Sequence, residues 1–204
     1  MNTHIRRYLQ IATMFGIVAC SGGSAGDIVL GAAETGGEID GAPIRLRSAL
    51  FGFTEGYFFV FTGVASRHQE IAMTNFDDKC GNGRVFGRIL YLDLFEDPTS
   101  GIGAVTRPGQ FEVWGPPVGA PGQASEIPTK PIVVATFAEE SEAGGRVMIA
   151  ASGMVTVSKV SSDELAGTFD LVFENQLTEA DNNQLTGTFR ARHCDKWARN
   201  AGVP

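Results

Sequence analysis

From Ala42 onward, apolar and polar residues alternate with the period of strands. Ile44, Leu46, Ser48 and Leu50 share one parity and Arg45 and Arg47 the other, so one face of a pleated ribbon is apolar and the opposite face polar. Tyr57–Phe61 (YFFVF) is apolar throughout, the pattern of a strand covered on both faces. Further runs follow at Glu70–Phe76, Arg84–Phe95, Gln110–Trp114, Ile132–Phe137, Arg146–Ala151, Val155–Lys159, Gly167–Phe173 and Gly187–Arg192. Glycine, proline or Asn/Asp clusters separate them at short intervals, and no window carries an apolar stripe of helical period. The pattern predicts an all-β chain, an antiparallel sandwich with a barrel as the alternative, of about nine or ten strands in a single domain over residues 43–204.

The clearest internal echo is Gly167-Thr168-Phe169-Asp170-Leu171-Val172-Phe173 against Gly187-Thr188-Phe189-Arg190-Ala191-Arg192. With the acidic, Asn-rich segment 174–184 between them, the two copies predict a hairpin. The expected register sets Leu171 against Phe189 inside and Asp170 against Arg190 outside, the opposite charges helping to hold it. Five of the nine prolines lie between Pro116 and Pro131, which predicts a long stiff loop, read here as an insertion without chemistry.

Composition adds little about activity and more about place. The 204 residues are 43% hydrophobic, enough for a core, and the formal charge of −7 disfavours nucleic acid as a partner. Arg6 and Arg7 precede the apolar segment Tyr8–Ala19, which is too short to span a bilayer and has the layout of a secretion signal. Ile17-Val18-Ala19-Cys20 resembles a bacterial lipobox, with Ile17 where leucine is usual. That resemblance implies removal of residues 1–19 and lipidation of Cys20 through a diacylglycerol thioether and N-acylation. Ser21 after the cysteine is similar to outer-membrane lipoproteins of Gram-negative envelopes. More than one acyl chain anchors stably. Removing residues 1–19 takes away two arginines and no acid, moving −7 to −9, so the lipid, and no basic patch, would hold the domain to the membrane. Seven glycines within residues 21–41 predict that 20–42 is the lipidated cysteine and a flexible tether spanning roughly 25 Å, although Ile28-Val29-Leu30 also reads as a first strand.

Met154-Val155-Thr156-Val157, the Gly-Thr-Phe-Asp-Leu-Val-Phe run and Leu185-Thr186-Gly187-Thr188-Phe189 closing on Cys194 resemble a group of β-rich bacterial lipoproteins, whose pattern ends in a Gly-Thr/Ser-Phe strand leading into a cysteine. Ile71–Cys80 and Pro108–Val113 are similar to that group too, so the resemblance spans most of residues 44–194. It departs where the group carries proline and an aromatic before the cysteine; Arg192 and His193 stand there instead. The resemblance implies a lipid-anchored β-domain and supplies no catalytic residues.

With Cys20 lipidated, Cys80 and Cys194 remain, and in an exported chain they are expected to form a disulfide. The alternative, a metal site of Cys80, Cys194 and His193 with Asp77 or Asp78, lacks close-spaced ligand pairs. Asp77-Asp78, Glu96-Asp97 and Asp181-Asn182-Asn183 lack the ligand ladder of a calcium loop and read as solvated turns. His68 and His193 are the histidines left to act as a base; Ser66 shares a strand face with His68, but no nucleophile elbow occurs, and His68 reads as a solvated surface group. No Walker loop or dinucleotide fingerprint is present. Phe51, Phe53, Tyr57, Phe58, Phe59 and Phe61 line a ligand cavity if the sheet closes as a barrel, and are core if it packs as a sandwich. The expectation is therefore an outer-membrane lipoprotein that is no enzyme and needs no cofactor or metal. It would serve as a structural or partner-binding module for another envelope protein, with a periplasmic carrier of a small apolar ligand as the alternative.

Overall fold

The computed structural model describes residues 28–58, 64–76, 80, 87–99, 102–115, 128–141, 144–174 and 183–195. Within them there is no helix. Eleven strands occur: β1 (Ala32–Ile39), β2 (Ala42–Pro43), β3 (Ser48–Phe58), β4 (Val64–Thr74), β5 (Gly87–Phe95), β6 (Ile102–Gly103), β7 (Gly109–Val113), β8 (Ile132–Ser141), β9 (Gly144–Val160), β10 (Glu164–Phe173) and β11 (Gln184–His193). Nine of these have five residues or more, and all of the nine except β1 overlap runs singled out in the sequence.

One mixed sheet holds all eleven and closes in a ring. Antiparallel pairings run β3–β4–β5–β8–β9–β10–β11, and a short parallel contact of Arg192 and His193 with Leu50 and Phe51 joins β11 back to β3. β1 lies antiparallel along the rest of the same edge of β11, from Ala32 opposite Arg190 to Glu38 opposite Gln184. Inward positions from around this ring form one apolar cluster. It includes Phe51, Ile71, Leu92, Phe137, Val155, Phe169, Phe173 and Phe189, as in a sandwich whose two sheets are joined at their edges.

Two sequence expectations need correction. Residues 20–42 are not tether throughout: Ile28 is buried and 32–39 are strand β1. One of the glycines that suggested flexibility serves close approach. Gly37 (φ 105°) lies so near the Gln184 carbonyl that a Cβ there would overlap it, and glycine alone tolerates both that contact and that backbone. The hairpin of β10 and β11 forms with the expected faces inward, but its register differs by four residues: Leu171 opposes Leu185, and Phe189 opposes Gly167. Asp170 therefore faces Thr186 and takes a hydrogen bond from Gln184 Nε2 at 2.7 Å, while Arg190 turns to Glu164.

Arg146–Ala151 and Val155–Lys159 are one strand, β9, in place of two. Ala151 is an extra residue facing the Val172–Phe173 step of β10, and this bulge reverses the parity. Ala150, Val155 and Val157 consequently all point inward, whereas Val147 and Ile149 stand on the outer face, 62% and 43% exposed.

Candidate functional site

The outer face of the β3–β4–β5 corner is covered, unlike the half-wet face that strand alternation predicts. Successive rows cross it: Leu50–Ala72–Tyr91, then Gly52–Glu70–Asp93–Val134, then Thr54–His68. Leu50 and Ala72 are buried there although they point away from the main core. Phe95 and Ile132 form a second small apolar cluster beside them, with Trp114 and Val134 packed against it.

Into this layer the ladder sets three ionisable side chains. Glu70 is fully buried, His68 is 6% exposed and Asp93 8%. Their ligating atoms all lie within 4.8 Å of one another. His68 Nε2 and Asp93 Oδ1 are 3.2 Å apart, and the imidazole tilts over the Phe95 ring with centroids 4.8 Å apart. Thr54 Oγ1 donates to Glu70 Oε2 at 3.2 Å. Gly52, directly across from Glu70, has no side chain to compete for that space. Two carboxylates directly opposed in a ladder repel each other, more strongly away from water, so this arrangement works against strand pairing unless positive charge is close. His68 supplies an imidazole at hydrogen-bonding distance. Chemically the trio can hold a cation or share protons.

This corrects the reading of His68 as a solvated surface group. His68 does point to the outer face of β4, but that face is itself buried here. Ser66 lies on β4 opposite Gly56. His193 stays half-buried against Phe51, with ring centroids 5.1 Å apart, and pairs with Asp195 at 3.3 Å, so the structure does not bring the two histidines into one site. Cys80 and Cys194 are joined as a disulfide, with Cα atoms 5.6 Å apart. Glu96 accepts from Thr106 and Arg107 and Asp97 from Thr99, as structural turns do. Asn183 is buried and clasps Asp40 at the β1–β2 turn. Phe51 belongs to the core and Phe53 is partly exposed. Cys20, Asp77, Asp78, Phe59, Phe61, Asp181 and Asn182 lie outside the described residues, as does most of the Pro116–Pro131 segment.

Two charge networks brace the ring elsewhere. Arg88 Nε donates to Glu139 at 2.7 Å, and Arg146 pairs with Glu139 and with Asp40. This line of ion pairs borders an open groove between Asn75 and Gly145, and the hydrogen bond from Arg88 holds the Glu139 carboxyl below its usual range. On the other side of the molecule, Glu164 is buried and accepts from Arg190 Nε at 2.7 Å and Lys159 Nζ at 2.7 Å. These bonds, that from Arg190 first, lower its pKa. Arg190 also donates to the Ile28 carbonyl, tying the first described residue to the last strand. A carboxyl whose pKa is lowered by folding stabilises the fold above its unfolded value of about 4.3 and loses that contribution as pH falls through the folded value. Glu164→Gln is thus expected to cost about 1–2 kcal/mol at pH 7. Urea denaturation from pH 7 to pH 3 should show the gap to wild type closing on the acid side; a gap independent of pH would remove the ion pair from the explanation.

No protein family, curated protein or solved structure matches the chain. Fold and chemistry therefore define a class and nothing narrower: an all-β domain with one closed mixed sheet, a disulfide at its seam and a buried His-Glu-Asp group outside the main core.

Proposed function

We propose that the chain is a lipid-anchored β-domain of the outer membrane that binds an envelope partner and does no catalysis. The observation that carries this reading is the use of its cysteines. Cys80 and Cys194 are spent on one disulfide, which fits an oxidising compartment. The third and last cysteine, Cys20, stands at the end of the lipobox-like segment. Ile28 is already buried in the fold, and the stretch 21–27 between it and Cys20 can reach at most about 25 Å when fully extended. A domain so close to the headgroups is suited to contacts within the envelope. Val147, Ile149 and Met154 of β9 and Val172 of β10 stand exposed on the outer face, apolar surface that a partner-binding role would use.

The test is mass spectrometry of the N-terminal peptide together with membrane fractionation. Wild type should begin at Cys20, carry acyl chains there and sediment almost wholly with the outer membrane. Cys20→Ser should carry no lipid and be lost from that fraction. A wild-type chain with a free Cys20 in the soluble fraction would sink the anchor.

A further inference from the structure

We propose that His68, Glu70 and Asp93 form a zinc site. The inference rests on neither the anchor nor the binding role.

The donor set and its spacing argue for it. Zinc bound at about 2.0–2.1 Å in a tetrahedron holds its ligand atoms about 3.3 Å apart, and His68 Nε2 and Asp93 Oδ1 are already 3.2 Å apart. The Glu70 carboxylate lies in the same group, all donors falling within 4.8 Å, so a modest side-chain rotation completes three corners. Water takes the fourth, as in sites built from three protein ligands. An imidazole with two carboxylates matches a borderline transition metal; calcium wants six to eight oxygens, and magnesium keeps its water.

Position strengthens the case. The ligands come from adjacent strands: His68 and Glu70 are two apart on one face of β4, and Asp93 is the direct partner of Glu70 on β5. The spacing is therefore fixed by the ladder, without dependence on a loop. Burial of all three keeps the ion from being diluted by solvent. A divalent cation also turns the repulsion between opposed carboxylates into attraction for a common centre. Second-sphere support is present too: Thr54 Oγ1 donates to the Glu70 carboxylate, and Phe95 fixes one face of the imidazole.

The experiment uses the full exported chain with its disulfide intact, stripped with EDTA and returned to chelator-free buffer. Calorimetric titration with zinc chloride should give one zinc per chain with a micromolar or tighter dissociation constant. Saturating zinc should raise Tm by about 5–10 °C. Cobalt(II) in its place should show visible absorption of a nitrogen/oxygen site without a sulfur charge-transfer band. Glu70→Gln and Asp93→Asn, both nearly isosteric, should each weaken binding at least tenfold. Should either fail to fold, His68→Gln and the cobalt spectrum of the wild type still decide. No stoichiometric binding by wild type at tens of micromolar zinc, binding unchanged in the variants, or a sulfur-ligated cobalt spectrum would each overturn the proposal.

Discussion

Replacing Cys80 and Cys194 together by alanine is expected to lower the unfolding free energy by about 4 kcal/mol, a large share of the stability of a domain this size. The bridge closes a loop of 114 residues, and in the chain-entropy account the constraint on the unfolded chain grows with the length enclosed. Its location adds a structural reason. The ring closes where β11 meets β3 through only two residue pairs, Arg192 with Leu50 and His193 with Phe51. Just beyond, the Cys194 N–H donates to the Phe51 carbonyl at 2.9 Å and the bond to Cys80 follows. The disulfide therefore secures the shortest pairing in the ring β3–β4–β5–β8–β9–β10–β11. Urea denaturation should show the midpoint falling, and amide exchange should rise first at residues 50–51 and 192–194 while β9 and β10 remain protected. Treatment of wild type with reductant should reproduce both effects. An unchanged midpoint would mean that the strand ladder alone holds the seam.

What the sequence disclosed was whatever depends on nearest neighbours. Alternation in Gly167–Phe173 and Gly187–Arg192 correctly assigned strands and faces, because side-chain direction in a strand depends only on parity. In Ile44–Leu50 it did not, since residues 44–47 are no strand and the inward positions pass from Ile44 and Leu46 to Ala49 and Phe51, leaving Leu50 on the outer face. The hairpin was legible from the echo of its halves, but its register was not. A shift of four residues preserves every face, so patterning could not separate the two alignments. What decides is the fit of Phe169 over Gly187 and of Phe189 over Gly167. The single strand β9 was hidden by its own bulge, which breaks the alternation that would have joined its halves. The His68-Glu70-Asp93 group was half visible. His68-x-Glu70 on one strand face is a readable spacing, yet Asp93 joins it only through the β4–β5 register, and nothing local announces that this outer face is buried. The disulfide, by contrast, needed no geometry: with Cys20 set aside, two cysteines allow a single pairing.

The repeated Gly-Thr-Phe carries the second large expected effect. Each glycine sits beneath the other copy's phenylalanine, Gly167 opposite Phe189 and Gly187 opposite Phe169. An added Cβ at Gly167 would come within 2.8 Å of the Phe189 ring and overlap the Thr156 carbonyl of β9. At Gly187 it would come within 2.7 Å of the Phe169 ring and overlap the Glu34 carbonyl of β1. A ring can turn aside, but a ladder carbonyl can move only with its strand. Gly187→Ala is accordingly expected to cost about 3 kcal/mol, the upper end for overpacking, and to loosen β1 from β11. Gly36→Ala supplies the comparison within the same strand pair. Its Cβ would meet only Thr186 Oγ1 at 3.7 Å, an ordinary contact, so its cost should stay within about 0.5 kcal/mol. Trimming the ring in a Gly187→Ala/Phe169→Leu double variant should recover part of the loss and leave the part owed to the Glu34 carbonyl. If urea midpoints place Gly187→Ala level with Gly36→Ala, β1 is not packed against β11 as closely as the paired glycines require, and the first strand's place in the sheet would have to be reconsidered.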